Sequence, residues 1–148
     1  MVELTASMVE VTQRVYDVLS DAKDELGIAA VYYGMQELIP EFPAISVESG
    51  RKQRQLAERS GGSTHKWAIT FTVSLMVEHG KLQSSTTTRK ETEQLAELIE
   101  TKLHEDLKLG GLVIFGFVTS IDSGVTRRKD IMIRATRIIW EGVSRETF

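Results

Sequence analysis

The chain has no cysteine, two prolines in 148 residues, few aromatic residues (7%) and no long apolar run. Without cysteine there is no disulfide framework, no thiolate nucleophile, no iron-sulfur cluster and no Cys-type zinc site. The redox compartment is unreadable for the same reason. The least polar stretch, Leu109 to Val118, is ten residues long and holds three glycines, far short of the roughly 18 that would span a bilayer. No membrane partner is expected. Glu3 and Glu10 precede any basic residue, and the first apolar residues are helically spaced rather than forming a block. No secretory signal is expected, and the mature chain is expected to begin at Met1.

Catalytic fingerprints are missing as well. The three histidines, His65, His79 and His104, are isolated, with no HExxH or paired-ligand spacing. There is no GxxxxGK[ST], GxGxxG or GxSxG, and Gly110-Gly111 precedes a predicted strand, whereas a phosphate cradle precedes a helix. Neither a metal nor a cofactor is expected. Glu91, Glu93, Glu97 and Glu100 read as a hydrated helix surface, and His104 belongs to the same polar face.

What is present describes one domain over residues 1–148. A chain this long buries roughly 70% of its unfolded surface, so a core needs no staples. Met8, Val11, Val15, Val18, Leu19, Ala22 and Leu26 recur at spacings of three and four, which predicts a helix with one apolar stripe. Ser7 with Glu10 forms a capping box at its start, and Gly27 supplies a left-handed stop. Ile28–Tyr33 and Ala44–Glu48 read as strands separated by Gly34, Pro40 and Pro43. Ser49 to Lys66, with three glycines, five basic residues and almost nothing apolar, reads as a long mobile loop between the second and third strands.

Trp67, Ile69, Phe71, Val73, Leu75 and Val77 alternate with Ala68, Thr70, Thr72, Ser74, Met76 and Glu78, which is the period of a strand. A second helix is expected from Arg89 to Leu107, opened by Thr88 and Glu91, with Leu95, Leu98, Ile99 and Leu103 as its stripe. Leu112–Ile121 and Asp130–Trp140 read as the last two strands, around a tip bearing Arg127, Arg128 and Lys129. Leu112–Ile121 has apolar residues on both faces and is expected to be covered on both. The fold class is therefore α+β: a five-stranded mixed sheet, two helices packed on one face, order αβββαββ. Part of the other face is left open or contacts another subunit.

Charge is segregated. Residues 1–48 sum to −7 and residues 49–66 to +4, within a net charge of −3. Arg51, Lys52, Arg54, Arg59 and Lys66 have three readings: a solvated loop, a phosphate-contacting arm, or an arm that pairs with the acidic first helix of a neighbour. Arg137, between Ala135 and Ile139, implies an exposed strand end, a bulge or an acidic partner. Trp140 is either core edge or an interface anchor.

With the order αβββαββ, the segments VYYGMQELIPEFPAISVE, WAITFTVSLMVEHGKLQ, GGLVIFGFVTSID and RATRIIWEGVSR together resemble those of the tail terminators of long-tailed bacteriophages, over nearly the whole chain. The match is to a succession of structural elements and carries no ligand motif. The resemblance implies a structural virion protein at the head-proximal end of the tail, not an enzyme. It implies a homo-hexameric ring that caps the tail tube protein, stops polymerisation and offers a docking surface to the head-tail connector. DNA would pass through its lumen without sequence-specific binding. On this reading Arg51, Lys52, Arg54, Arg59, Lys66, Arg127, Arg128, Lys129 and Arg137 are candidate contacts to neighbouring subunits, tube or connector. A neck or head-completion protein and a small α/β ligand-binding module are the alternatives.

Overall fold

The computed structural model describes residues 3–4, 6–59, 65–82 and 88–147. Their order is β1 (Glu3–Leu4), α1 (Met8–Asp21), α2 (Lys23–Leu26), β2 (Ala30–Tyr33), β3 (Ala44–Arg59), β4 (His65–Lys81), α3 (Arg89–His104), a 3-10 turn (Leu109–Gly111), β5 (Phe115–Arg128) and β6 (Ile131–Thr147). The fold is α+β. Its mixed sheet has five principal strands in the order β2-β3-β4-β6-β5, and the two-residue β1 joins the far end of β6. Only β2 and β3 run parallel; β4 is antiparallel to both its neighbours, and β6 to β5.

β4 is the centre because its alternation gives it one face that must leave water. Ile69, Phe71, Val73, Leu75 and Val77 are all buried, whereas Ala68, Thr70, Thr72, Ser74 and Met76 are half-buried. Cross-strand partners share a face, so Val47 opposite Leu75, Ile138 opposite Leu75, and Trp140 opposite Val73 extend the same apolar layer. Val11, Val15 and Leu19 of α1 and Ala96, Ile99 and Leu103 of α3 belong to that one core. Both helix starts follow from their caps: Ser7 Oγ accepts from the Glu10 N–H, and Thr88 Oγ1 from the Glu91 N–H.

Trp140 settles into this core, with only 1% of its surface exposed. Gly116 and Gly142 sit beneath it, and a Cβ at either would overlap the indole ring. These glycines are required by close approach of a side chain and not by backbone conformation.

Several expectations are corrected. The stretch read as a long mobile loop is mostly strand: β3 continues through Arg59 and pairs with β4 from Arg51 opposite Thr72 to Arg59 opposite His65. Bulges between Ser49 and Arg51 and between Leu56 and Glu58 let it keep that pairing. The first helix breaks at Ala22 into α1 and α2 before Gly27 (φ 72°) stops it. The second ends at His104, its buried stripe turned to Thr92, Ala96, Ile99 and Leu103, with Leu98 exposed. β5 is not covered on both sides: it pairs only with β6, and Phe115 and Phe117 are exposed.

At the other end of the sheet, the segment 34–43 lies against Arg128. Arg128 holds it there. Its Nη2 donates to Glu78 Oε1 at 2.6 Å, its Nε donates to Glu78 Oε2, and its Nη1 donates to the Gln36 and Glu37 carbonyl oxygens. The Glu78 side chain is 1% exposed and that of Arg128 17%. Replacing Arg128 by Met strands the Glu78 carboxylate, and removing one partner of a buried pair costs about 3–5 kcal/mol. Urea denaturation of Arg128→Met should show a loss of that order, and the double variant Glu78→Leu/Arg128→Met should recover much of it. Equal losses in the two proteins would mean that the stranded Glu78 carboxylate is not the source of the cost.

Candidate functional site

The nine basic residues singled out from the sequence do not form one surface. Arg51 is exposed on the sheet face of Thr72, its cross-strand partner, whereas Lys52 and Arg54 are exposed on the other face, opposite Phe71 and Ile69. The Lys52 ammonium stands 5.7 Å from the centre of the Phe71 ring, within reach of a cation-π attraction. Arg59 and Lys66 continue this hairpin in their backbone; their side chains lie outside the described residues. Arg127, Arg128 and Lys129 are at the opposite end. Arg51 is joined through Thr72 to Glu141, and Arg128 is opposite Ile131, ten residues along one strand or roughly 33 Å.

The tip residues differ among themselves. Arg127 is exposed, donates to the Lys129 carbonyl oxygen at 2.9 Å and lies 3.6 Å from Asp130. Lys129 is exposed in a left-handed conformation (φ 55°) that makes the turn. Arg128 is mostly buried and engaged within the chain, bound to Glu78. Arg137 is exposed in the middle of β6, not at its end, with Asp122 and Met76 as its cross-strand neighbours.

Two long strand edges are open among the described residues. β3 from Glu48 to Arg59 pairs only with β4, because β2 stops at Tyr33 opposite Val47. β5 pairs only with β6 along its 14 residues. The two edges lie on opposite sides of the sheet. One β5 N–H is capped: Val118 donates to His104 Nε2 at 2.9 Å, and the His104 ring meets Phe117 edge-on at 5.7 Å. His104 is thus a local edge cover, not the solvated residue expected. Thr70, Thr72, Ser74 and Met76 lie between these edges, on the β4 face that alternates with the buried Ile69–Val77 row, and are only half-buried.

A polar cleft lies where the first turn of α3 meets β5 and β6. Sequence spacing gave no sign of it, because its residues come from four separate elements. His79, the extra residue of a bulge in β4 between Glu78 and Gly80, is buried, and its Nε2 is 2.8 Å from Thr136 Oγ1. Thr136 Oγ1 is in turn 3.4 Å from Ser123 Oγ. Above this chain, Arg89, Thr92, Ser123, Val125 and Arg134 line a cavity of about 150 Å3. Burial, with the positive charge of Arg134, lowers the His79 pKa to about 4. Ser123 is exposed, and among the described residues the imidazole's hydrogen-bond partner is Thr136 and not a carboxylate.

Among the described residues no three His, Asp or Glu side chains are grouped to hold a metal ion. No helix there is long and apolar enough to cross a membrane. In comparisons with known proteins, no family model and no curated protein matches the chain.

His79 gives a pH dependence whose sign is fixed. Its pKa in the folded protein lies below the ordinary 6.5, so between these values the unfolded chain binds more protons. The stabilisation is complete above pH 6.5 and is lost as pH falls toward 4, by on the order of 2–3 kcal/mol. Urea unfolding at stepped pH should show this loss in the native chain and a shallower one in His79→Gln. Identical pH slopes in both would remove His79 as the cause.

Proposed function

We propose that this chain is a structural virion protein that closes the head-proximal end of a long phage tail tube as a six-membered ring, stops tube growth and offers the docking surface for the head connector. The observation that carries the ring is the pair of long open edges, β3 beyond Glu48 and β5, on opposite sides of one sheet. Unequal edges on opposite sides favour heterologous contacts, which generate a closed ring when the rotation between subunits completes a circle. An open strand edge is a template for pairing with another chain. The half-buried Ser and Thr face between the edges then faces a neighbour or the lumen.

The resemblance of the sequence segments to tail terminators supplies the place in the particle. Segregated charge supports the same reading: the basic β3 arm and the acidic N-terminal region can meet head to tail between neighbours, since complementary charge fixes register and suppresses wrong partners. Catalysis is not part of the reading. One ring face copies the tube's own interface and the other does not, so the next tube ring has nothing to pair with.

Light scattering over a concentration range should give six times the 16.6 kDa chain mass, alone or after addition of tail tubes. Lys52→Glu with Arg54→Glu should weaken assembly by at least about tenfold in subunit affinity. Labelling of intact particles should place the protein where tube meets head. A monomer that neither assembles nor binds tubes overturns the proposal, and a label on the portal side would reassign the ring to the neck.

A further inference from the structure

We infer that the cleft between the first turn of α3 and the β5–β6 hairpin is a binding site for one small tetrahedral oxyanion of the phosphate class, with Arg134 as its principal ligand. The site is independent of the ring reading.

Arg134 carries the argument. It sits on β6 opposite Val125, on the helix-covered face, and its Nε is buried with no hydrogen-bond partner. No carboxylate pairs with its guanidinium among the described residues. A partly buried charge without a partner is costly and is ordinarily matched by an anion. His79, the imidazole that the Arg134 charge acts on, is neutral at physiological pH and already engaged with Thr136, and an imidazole carries no negative charge to offer. Among the described residues nothing supplies that counter-charge.

The cavity beside Arg134 has the donors for it. Arg89 brings a second guanidinium, and Ser123 a hydroxyl whose only described contact is a long one to Thr136. Thr92 donates its proton to the Arg89 carbonyl oxygen, which leaves its oxygen free only as an acceptor, suited to a protonated phosphate. Arg89 and Thr92 lie in the opening turn of α3, where the helix dipole favours negative charge. Guanidinium forks match oxyanion geometry with paired hydrogen bonds.

The surroundings also set the size and charge. Glu93, Glu97 and Asp122 line the adjoining cavity, which shares Arg89 and Ser123 with the first, and Glu93 already pairs with the exposed Arg89 at 3.2 Å. A polyanion reaching out of the cleft would meet these three carboxylates. A single ion held on Arg134 would not. The site therefore selects inorganic phosphate or sulfate over a nucleoside triphosphate or a nucleic-acid backbone.

The test is thermal unfolding of the full chain against inorganic phosphate, at constant ionic strength made up with chloride. A bound ligand raises the midpoint in a saturable way. The expected result is saturation below about 10 mM phosphate, a weaker saturable response to sulfate, which brings no proton for the Thr92 oxygen, and no response to duplex DNA. Arg134→Met should weaken phosphate binding at least tenfold while leaving the ligand-free midpoint unchanged or higher, because an unmatched charge has been removed. Ser123→Ala, at an exposed position, should weaken it by about threefold. An absent response in the native chain, an undiminished response in Arg134→Met, or displacement of phosphate by duplex DNA or a triphosphate at lower concentration would each overturn the proposal.

Discussion

Every other element takes its position from the pairing of β4. Its five buried odd-numbered residues from Ile69 to Val77 are excluded from water on one face only, and a slip of one residue would exchange that face for Thr70, Thr72 and Ser74. The register is therefore held on both sides at once. With β4 fixed, Val47 and Ile138 fall opposite Leu75 and Trp140 opposite Val73, and the apolar stripes of α1 and α3 have a surface of the right chemistry to cover. The sheet's length follows as well. β3, β5 and β6 extend to 14–17 residues because a 17-residue template lies at the centre, while the helices cover only its middle.

That mismatch divides the molecule into a covered middle and two ends with different physics. At the hairpin end, the segment 34–43 is held to the sheet by one buried ion pair. Two charges withdrawn from water are tolerable when each is fully hydrogen-bonded, and Arg128 meets that condition by using both Glu78 oxygens and two backbone carbonyls. The Arg127 and Lys129 side chains beside it are exposed. Three consecutive cations thus have two separate roles, because strand alternation and the turn point them in different directions.

Legibility in the sequence followed burial. β4 was readable because one face is wholly apolar, and both major helix starts because Ser7 and Thr88 cap them. β3 beyond Ser49 was not, since both its faces carry Arg, Lys and Gln and no alternation survives when neither side is buried; its pairing comes from the partner strand. β5 misled in the opposite way. Phe115 and Phe117 implied a covered face, yet they lie at a sheet edge where Phe117 packs on His104. The Glu78–Arg128 pair spans 50 residues and the Arg134 cleft draws on β4, α3, β5 and β6, so neither leaves a local spacing to find.

The open edges gain meaning from how unevenly the chain protects them. Solitary proteins blunt edge strands by keeping them short, bulging them or loading them with charge. β3 does this in part: two bulges and a basic run make it a poor partner for another copy of itself, since like charges opposite each other repel. β5 does it less, with one bulge between Val118 and Ser120, Val118 capped by His104, and Phe115, Phe117 and Val125 exposed along it. A guarded basic edge and a less guarded apolar one disfavour pairing of like with like and permit pairing of one with the other. On the proposed ring, such an asymmetry favours head-to-tail contacts over two-fold ones, and contacts of that kind either close into a ring or continue without end. The angle between neighbours decides which, and in this fold that angle would be set by the twist that β4 imposes on the strands beside it.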